Sequence, residues 1–95
     1  MNSKLFTPVK LGPLTLRNRT IRSAAFESMC PGNKPSEQLL DYHRSVAAGG
    51  VGMTTVAYAA VTQSGLSFDR QLWLRPSIIP RLHELTKAVH DEGAA

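Results

Sequence analysis

The sequence predicts an α/β protein with parallel strands. Three observations carry that reading: two amphipathic helical segments, a strand-like run ahead of each, and glycines where helix must give way to strand. The order strand, helix, strand, helix is the grammar of crossover units.

Ahead of these units, residues 5–16 carry Leu5, Phe6, Val9, Leu11, Leu14 and Leu16, broken by Pro8 and the Gly12-Pro13 pair, which predicts two very short extended pieces around a turn. Thr20, Ile21, Arg22, Ser23, Ala24 and Ala25 form a run with a β-branched start and predict the first parallel strand. Cys30, Pro31, Gly32, Asn33, Lys34 and Pro35 are dense in turn formers and predict a loop. The first helix is expected to open with Pro35 in its first position and Ser36 and Glu37 in its first turn. Its apolar face is Leu39, Tyr42, His43, Val46 and Ala47, and Gly49-Gly50 ends it.

Residues 51–61 show neither strict alternation nor helical period. A continuous apolar and β-branched run of that length predicts a second strand buried on both faces. Residues 62–76 read as a polar connection. In the last helix Ser77 is the expected cap, Pro80 lies in the first turn, Ile79, Leu82, Leu85 and Val89 form the apolar stripe, and Gly93 is the stop.

Two parallel strands with two helices would leave a sheet face bare and two edges open, which parallel sheets do not tolerate. The expectation is therefore the N-terminal fragment of a (β/α)8 TIM barrel: a bottom hairpin, then β-α-β-α. A closed barrel takes about 250 residues, so residues 1–95 would be a partial barrel that stops before its third strand.

Composition excludes several other classes. Eleven Lys and Arg against seven Asp and Glu give a formal charge of +4, but the basic residues are scattered and only Arg17, Arg19 and Arg22 lie close together. No basic stripe with interleaved aromatics appears, which argues against a nucleic-acid partner. The longest uncharged stretch, residues 45–68, is broken by Gly49, Gly50, Gly52, Gly65 and many hydroxyl groups, so no membrane helix is expected. Pro8, Gly12 and Pro13 interrupt any signal-peptide core. The single cysteine allows no internal disulfide, and a cytoplasmic location is expected.

Ordinary catalytic motifs are missing. Gly49, Gly50, Val51 and Gly52 follow a helix and precede a strand, the reverse of a dinucleotide fingerprint. His43, His83 and His90 have no metal-site spacing; His43 reads as a packed histidine and the other two as solvated. Cys30 has no basic neighbour in sequence and reads as inert. Glu27, just past a strand end, sits where barrel enzymes place functional groups, with a salt bridge to Arg22 as the simpler reading. Trp73 and Phe68 flank the polar connection, either lining a ligand rim or seating the loop.

Several short segments in order carry a resemblance: Leu5-Phe-x-Pro8, Leu11-Gly12, Leu16-x-Asn18-Arg19, Ser23-Ala24-Ala25, Ala47-x-Gly-Gly-Val-Gly52, Ala60-Val61-x-x-x-Gly65 and Ala88-Val89-His90-x-x-Gly93. Together they resemble the N-terminal part of the Old Yellow Enzyme family, the FMN-dependent NADH:flavin oxidoreductases, which are (β/α)8 barrels. The resemblance implies an oxidoreductase that passes hydride from NADH or NADPH through FMN to an acceptor such as an activated alkene. A 2,4-dienoyl-CoA-reductase-like relative and a non-catalytic truncated chain are the alternatives.

It also implies that Ser23, Ala24, Ala25 and Phe26 border the flavin, with Ala60 at the end of the second strand as a further neighbour. Small side chains suit backbone that must approach a wide flat ring. Phe26 departs from the family, where many relatives carry a threonine or cysteine able to hydrogen-bond near the reactive nitrogen. The family's substrate-anchoring pair, proton-donating tyrosine and phosphate-gripping segments fall outside these positions, so no catalytic or metal-binding residue is assigned. The implied partner is a small-molecule substrate, and homo-oligomerisation of the parent is left open.

Overall fold

A computed structural model describes residues 3–95. After a single 3-10 turn at Lys4–Phe6, Val9–Leu11 (β1) and Leu14–Leu16 (β2) form an antiparallel hairpin that pairs Val9 with Leu16. Ile21–Arg22 (β3) then leads by a loop into the helix Glu37–Ala48 (α1), and Met53–Thr54 (β4) returns parallel to β3 with Ile21 opposite Met53. Ala59–Ala60 (β5) pairs in parallel with Leu72–Trp73 (β6), and Ile79–Asp91 (α2) follows.

On the other edge of β4, the Ala95 N–H donates to Gly52 O at 2.9 Å and the Thr54 N–H to Ala95 O at 2.8 Å. This is the bonding of a parallel ladder. Three neighbouring parallel segments thus run from β3 through β4 to Ala95, the start of a barrel wall.

The helices pack on each other and enclose the core of Cys30, Leu39, Ala47, Leu72, Ile78, Leu85, Val89 and Ala94. The expected face of α1 is correct. Its cap differs: Pro35 stays outside the helix and the Ser36 hydroxyl accepts from the Leu39 N–H at 3.0 Å. In α2 the expected cap fails, because a 3-10 turn at Pro76–Ile78 precedes the helix and Ser77 Oγ accepts from Arg75 Nε instead. That turn also shifts the stripe, burying Ile78 and leaving Ile79 50% exposed.

The strands are shorter than expected. β3 ends at Arg22, so Ser23, Ala24 and Ala25 lie beyond it. The predicted strand 51–61 is two strands, β4 and β5, with a break over residues 55–58. The ladder fails there because the Ala57 N–H turns to the Glu27 carboxylate and Tyr58 takes the left-handed conformation at φ 52°. The connection 62–76 contains β6, whose two residues are too few to show a period.

Arg17 closes both helices at the hairpin end. Its guanidinium donates to Ala47 O of α1 at 2.5 Å, to Glu92 O just past α2 at 2.7 Å and to Val51 O at 3.0 and 3.2 Å. A cation at two helix C-termini complements both the orphan carbonyls and the dipoles. Gly93, at φ +91°, is where α2 hands over to Ala95, and a Cβ there would lie 2.6 Å from Arg17 Nη1.

The accessible surface is 6087 Å², against about 5400 Å² for a compact chain of 10.4 kDa. The radius of gyration is 14.5 Å, where about 12 Å is usual for this length. Leu5, Phe6, Leu11, Leu14, Ile21, Tyr58, Val61 and Phe68 all stay exposed. Among the described residues no helix is long and apolar enough to cross a membrane.

Candidate functional site at the strand ends

In a parallel α/β fold the C-terminal ends of the strands are where ligands meet the chain. Here those ends are residues 23–30 after β3 and residues 55–60 after β4.

Ser23, Ala24 and Ala25 are exposed. Their backbone N–H groups, and that of Phe26, make no hydrogen bond to other described residues. Open backbone donors beside small side chains are what the polar edge of a flat heteroaromatic ring requires, so this segment fits a flavin. Phe26 does not point freely outward. It stacks on Phe68 at 4.7 Å and Tyr58 at 5.4 Å between ring centroids, and those two lie 5.7 Å apart. The three near-parallel rings form a half-exposed aromatic face at the strand ends, in a geometry aromatic pairs favour.

Ala60 is the last residue of β5, the second part of the run expected as one strand. It is buried in β5, pairs with Trp73, and its carbonyl accepts from the Leu74 N–H at 2.8 Å. Trp73 seats the loop: the Arg75 guanidinium lies 4.4 Å over its ring and donates to Asn33 O and Gly32 O.

Glu27 is the centre of a buried polar cluster. Its side chain is 4% exposed; Oε2 accepts from His43 Nε2 at 2.8 Å and faces Arg22 Nη1 at 3.4 Å, and Oε1 accepts from the Ala57 N–H at 3.2 Å. Arg22 Nη1 also donates to Thr55 O at 2.7 Å, and the guanidinium lies 4.9 Å over the Tyr42 ring. His43 is wholly buried, and its Nδ1 stands 2.8 Å from Thr54 Oγ1. A carboxylate can only accept, so Nε2 carries the proton and Nδ1 accepts from the Thr54 hydroxyl.

Burial holds His43 below its ordinary value of 6.5, with the Arg22 charge adding to the effect, against the hydrogen bond and charge of Glu27. The expected pair of Arg22 with Glu27 is present. The roles of His43, Thr54 and Ala57 had no local sequence signal, since they lie 16 to 30 positions away.

Cys30 is buried and its thiol is pushed up to about 11, by burial first and then by the Glu27 charge, which makes it a poor nucleophile. His83 and His90 are exposed on α2. Among the described residues no group of three His, Cys, Asp or Glu could hold a metal ion. A depression of about 410 Å³ lies between α1 and α2, lined by Glu37, Arg44, Glu84, Lys87 and Asp91. It contains no strand-end residue and is the wet groove between two helices.

Residues 4–95 match the model of the NADH:flavin oxidoreductase / NADH oxidase family. The chain is 47% identical over 90 residues to a 4,4'-dithiodibutanoate disulfide reductase from Rhodococcus erythropolis, covering 95% of this chain and 22% of that protein. It superposes on 2-naphthoyl-CoA reductase in complex with 2-naphthoyl-CoA with a TM-score of 0.88 at 27% identity, over 96% of this chain and 14% of that one. An Old Yellow Enzyme homologue from Zymomonas mobilis gives a TM-score of 0.84 at 21% identity, over 97% of this chain and 26% of that one, and shows the shared fold. The chain spans 14 to 22% of the length of three curated relatives it matches.

Proposed function

The chain belongs to the NADH:flavin oxidoreductase / NADH oxidase family, and on that premise we propose that residues 1–95 serve as the opening part of an FMN-holding (β/α)8 barrel. The whole protein takes hydride from NADH or NADPH and delivers it to a small-molecule acceptor. The observation that carries this reading is the family match over residues 4–95 together with 47% identity over 90 residues to a reductase. The open apolar surface and bare strand edges support it, since the rest of a barrel would cover them.

When bound, FMN supplies the hydride relay between nicotinamide and acceptor. The part of this chain is to border it. Ser23, Ala24 and Ala25 offer exposed backbone donors on a surface with no bulky side chain, Phe26 bounds that surface with its aromatic neighbours, and Ala60 lies on the second wall. The Glu27 cluster behind them is buried, with the carboxylate 4% exposed.

Two acceptor chemistries remain in play. An activated alkene gains a hydride and a proton across its double bond. A disulfide accepts the same two electrons with cleavage to thiols, and the identity to the Rhodococcus erythropolis disulfide reductase favours testing it alongside. The test is to purify the protein carrying this segment, record its visible spectrum, and follow NADH and NADPH oxidation with an α,β-unsaturated ketone and with an aliphatic disulfide. A protein that neither retains nor binds FMN refutes the reading.

A further inference from the structure

Resting on that reading, we propose that Glu27 is a positioning residue: one buried carboxylate holds the two proposed flavin walls, residues 23–26 and the segment leading to Ala60, in fixed relation.

Three segments meet at this side chain. Glu27 follows Phe26 directly, so it is rooted in the first wall. Its Oε1 accepts the Ala57 N–H at 3.2 Å, three residues before Ala60, and its Oε2 accepts from His43 on α1 at 2.8 Å. Arg22, which faces Oε2 at 3.4 Å, reaches the second wall again through Thr55 O at 2.7 Å. The carboxylate therefore bridges two loops that no strand pairing joins, because β4 ends at Thr54 and β5 pairs with β6.

A neutral amide replaces it only in part. With the amide oxygen on the Ala57 N–H, the NH2 of Glu27→Gln can be met by His43 only after the ring moves its proton to Nδ1, facing Thr54 Oγ1, and it still sets donor against donor at Arg22. The same change leaves the Arg22 guanidinium without its counter-charge, and an uncompensated cation near a redox ring favours the reduced form. Glu27→Asp keeps the charge but shortens the arm, so it separates the two effects.

The experiment measures the FMN dissociation constant by fluorescence quenching and the flavin midpoint potential, in the holoprotein. For Glu27→Gln the dissociation constant rises about tenfold or more, the scale of one unsatisfied buried hydrogen bond, and the potential becomes more positive. For Glu27→Asp the dissociation constant rises while the potential stays near the wild-type value.

Gly93→Ala is the comparison for a purely structural loss. Its φ of +91° and the 2.6 Å approach to Arg17 place its strain at the hairpin end, so it lowers Tm and leaves both flavin quantities in place. Glu27→Gln behaving like Gly93→Ala, with a lower Tm and neither flavin quantity moved, overturns the proposal. If Glu27→Gln does not fold, an unaltered dissociation constant in Glu27→Asp overturns it. A wild-type protein that binds no FMN defeats the functional reading and this inference together, whereas wild-type binding with unmoved variants defeats this inference alone.

Discussion

Substituting alanine for Gly52 places a methyl group where two strands already touch. The new Cβ would lie 2.6 Å from Asn18 O, 2.9 Å from Asn18 Oδ1 and 3.0 Å from Thr20 O. Two of these are backbone atoms, which cannot swing aside, and ordinary contact needs roughly 3.4 Å or more. The start of β4 must therefore retreat from residues 18–20 by several tenths of an ångström. The Gly52 N–H now donates to Thr20 O at 3.0 Å and meets Thr20 Oγ1 at 3.2 Å, and the same retreat stretches both beyond useful length. Overpacking costs about 1–3 kcal/mol and a lost hydrogen bond about 1 kcal/mol, so Gly52→Ala should destabilise by about 3 kcal/mol.

Gly49→Ala is the matched control. Gly49 has the helical φ of −72° and its added Cβ would lie 3.3 Å from Val46 O. Any relief of glycine's entropy cost there is about 0.5–1 kcal/mol, so the change should lie within about 1 kcal/mol of wild type. The assay is urea unfolding of the protein carrying the segment, followed by circular dichroism and compared at equal m. Equal midpoints for the two variants would refute the claim that close strand approach selects glycine at position 52.

Three further outcomes follow from the structure. His43 titrates near 6.5 when unfolded and lower in the fold, so below pH 6.5 the unfolded chain takes up a proton that the native state refuses. Stability should fall on acidification from pH 6.5 towards 5, by up to about 1.4 kcal/mol per pH unit, and His43→Gln should remove that share of the slope in pH-dependent denaturation. Cys30, buried with its thiol pushed up to about 11, should react with iodoacetamide at pH 7.5 only after unfolding; rapid alkylation of native protein, read by mass spectrometry, would contradict this. Arg17→Met should cost about 3 kcal/mol, because it strips the donor from Ala47 O, Val51 O and Glu92 O at once, whereas Arg44→Met, on an exposed pair with Asp41, should cost less than about 1 kcal/mol by the same unfolding measurement.

The legible parts of this protein are those fixed by neighbours a few positions apart. Periodicity placed α1, with Leu39, His43 and Ala47 on its inner face, and the Gly12-Pro13 pair placed the hairpin. The family match agrees with the resemblance carried by short segments such as Leu16-x-Asn18-Arg19. The unspecified position in that segment is Arg17, which turned out to close both helices. Its charged neighbours Arg19 and Arg22 had marked it only as basic.

Sequence alone thus determined the inner face of α1, the turn points and the parallel order, because periodicity and glycine conformation act within about four residues. The tertiary structure alone decided where each strand stops, that Leu72–Trp73 is a strand, and that Glu27 is bound by His43 and Ala57. A two-residue strand carries no period, and a buried carboxylate's partners are chosen by which loops the barrel wall brings together. Contacts across 16 to 75 positions, from Glu27–His43 to Arg17–Glu92, exist only once the chain has folded.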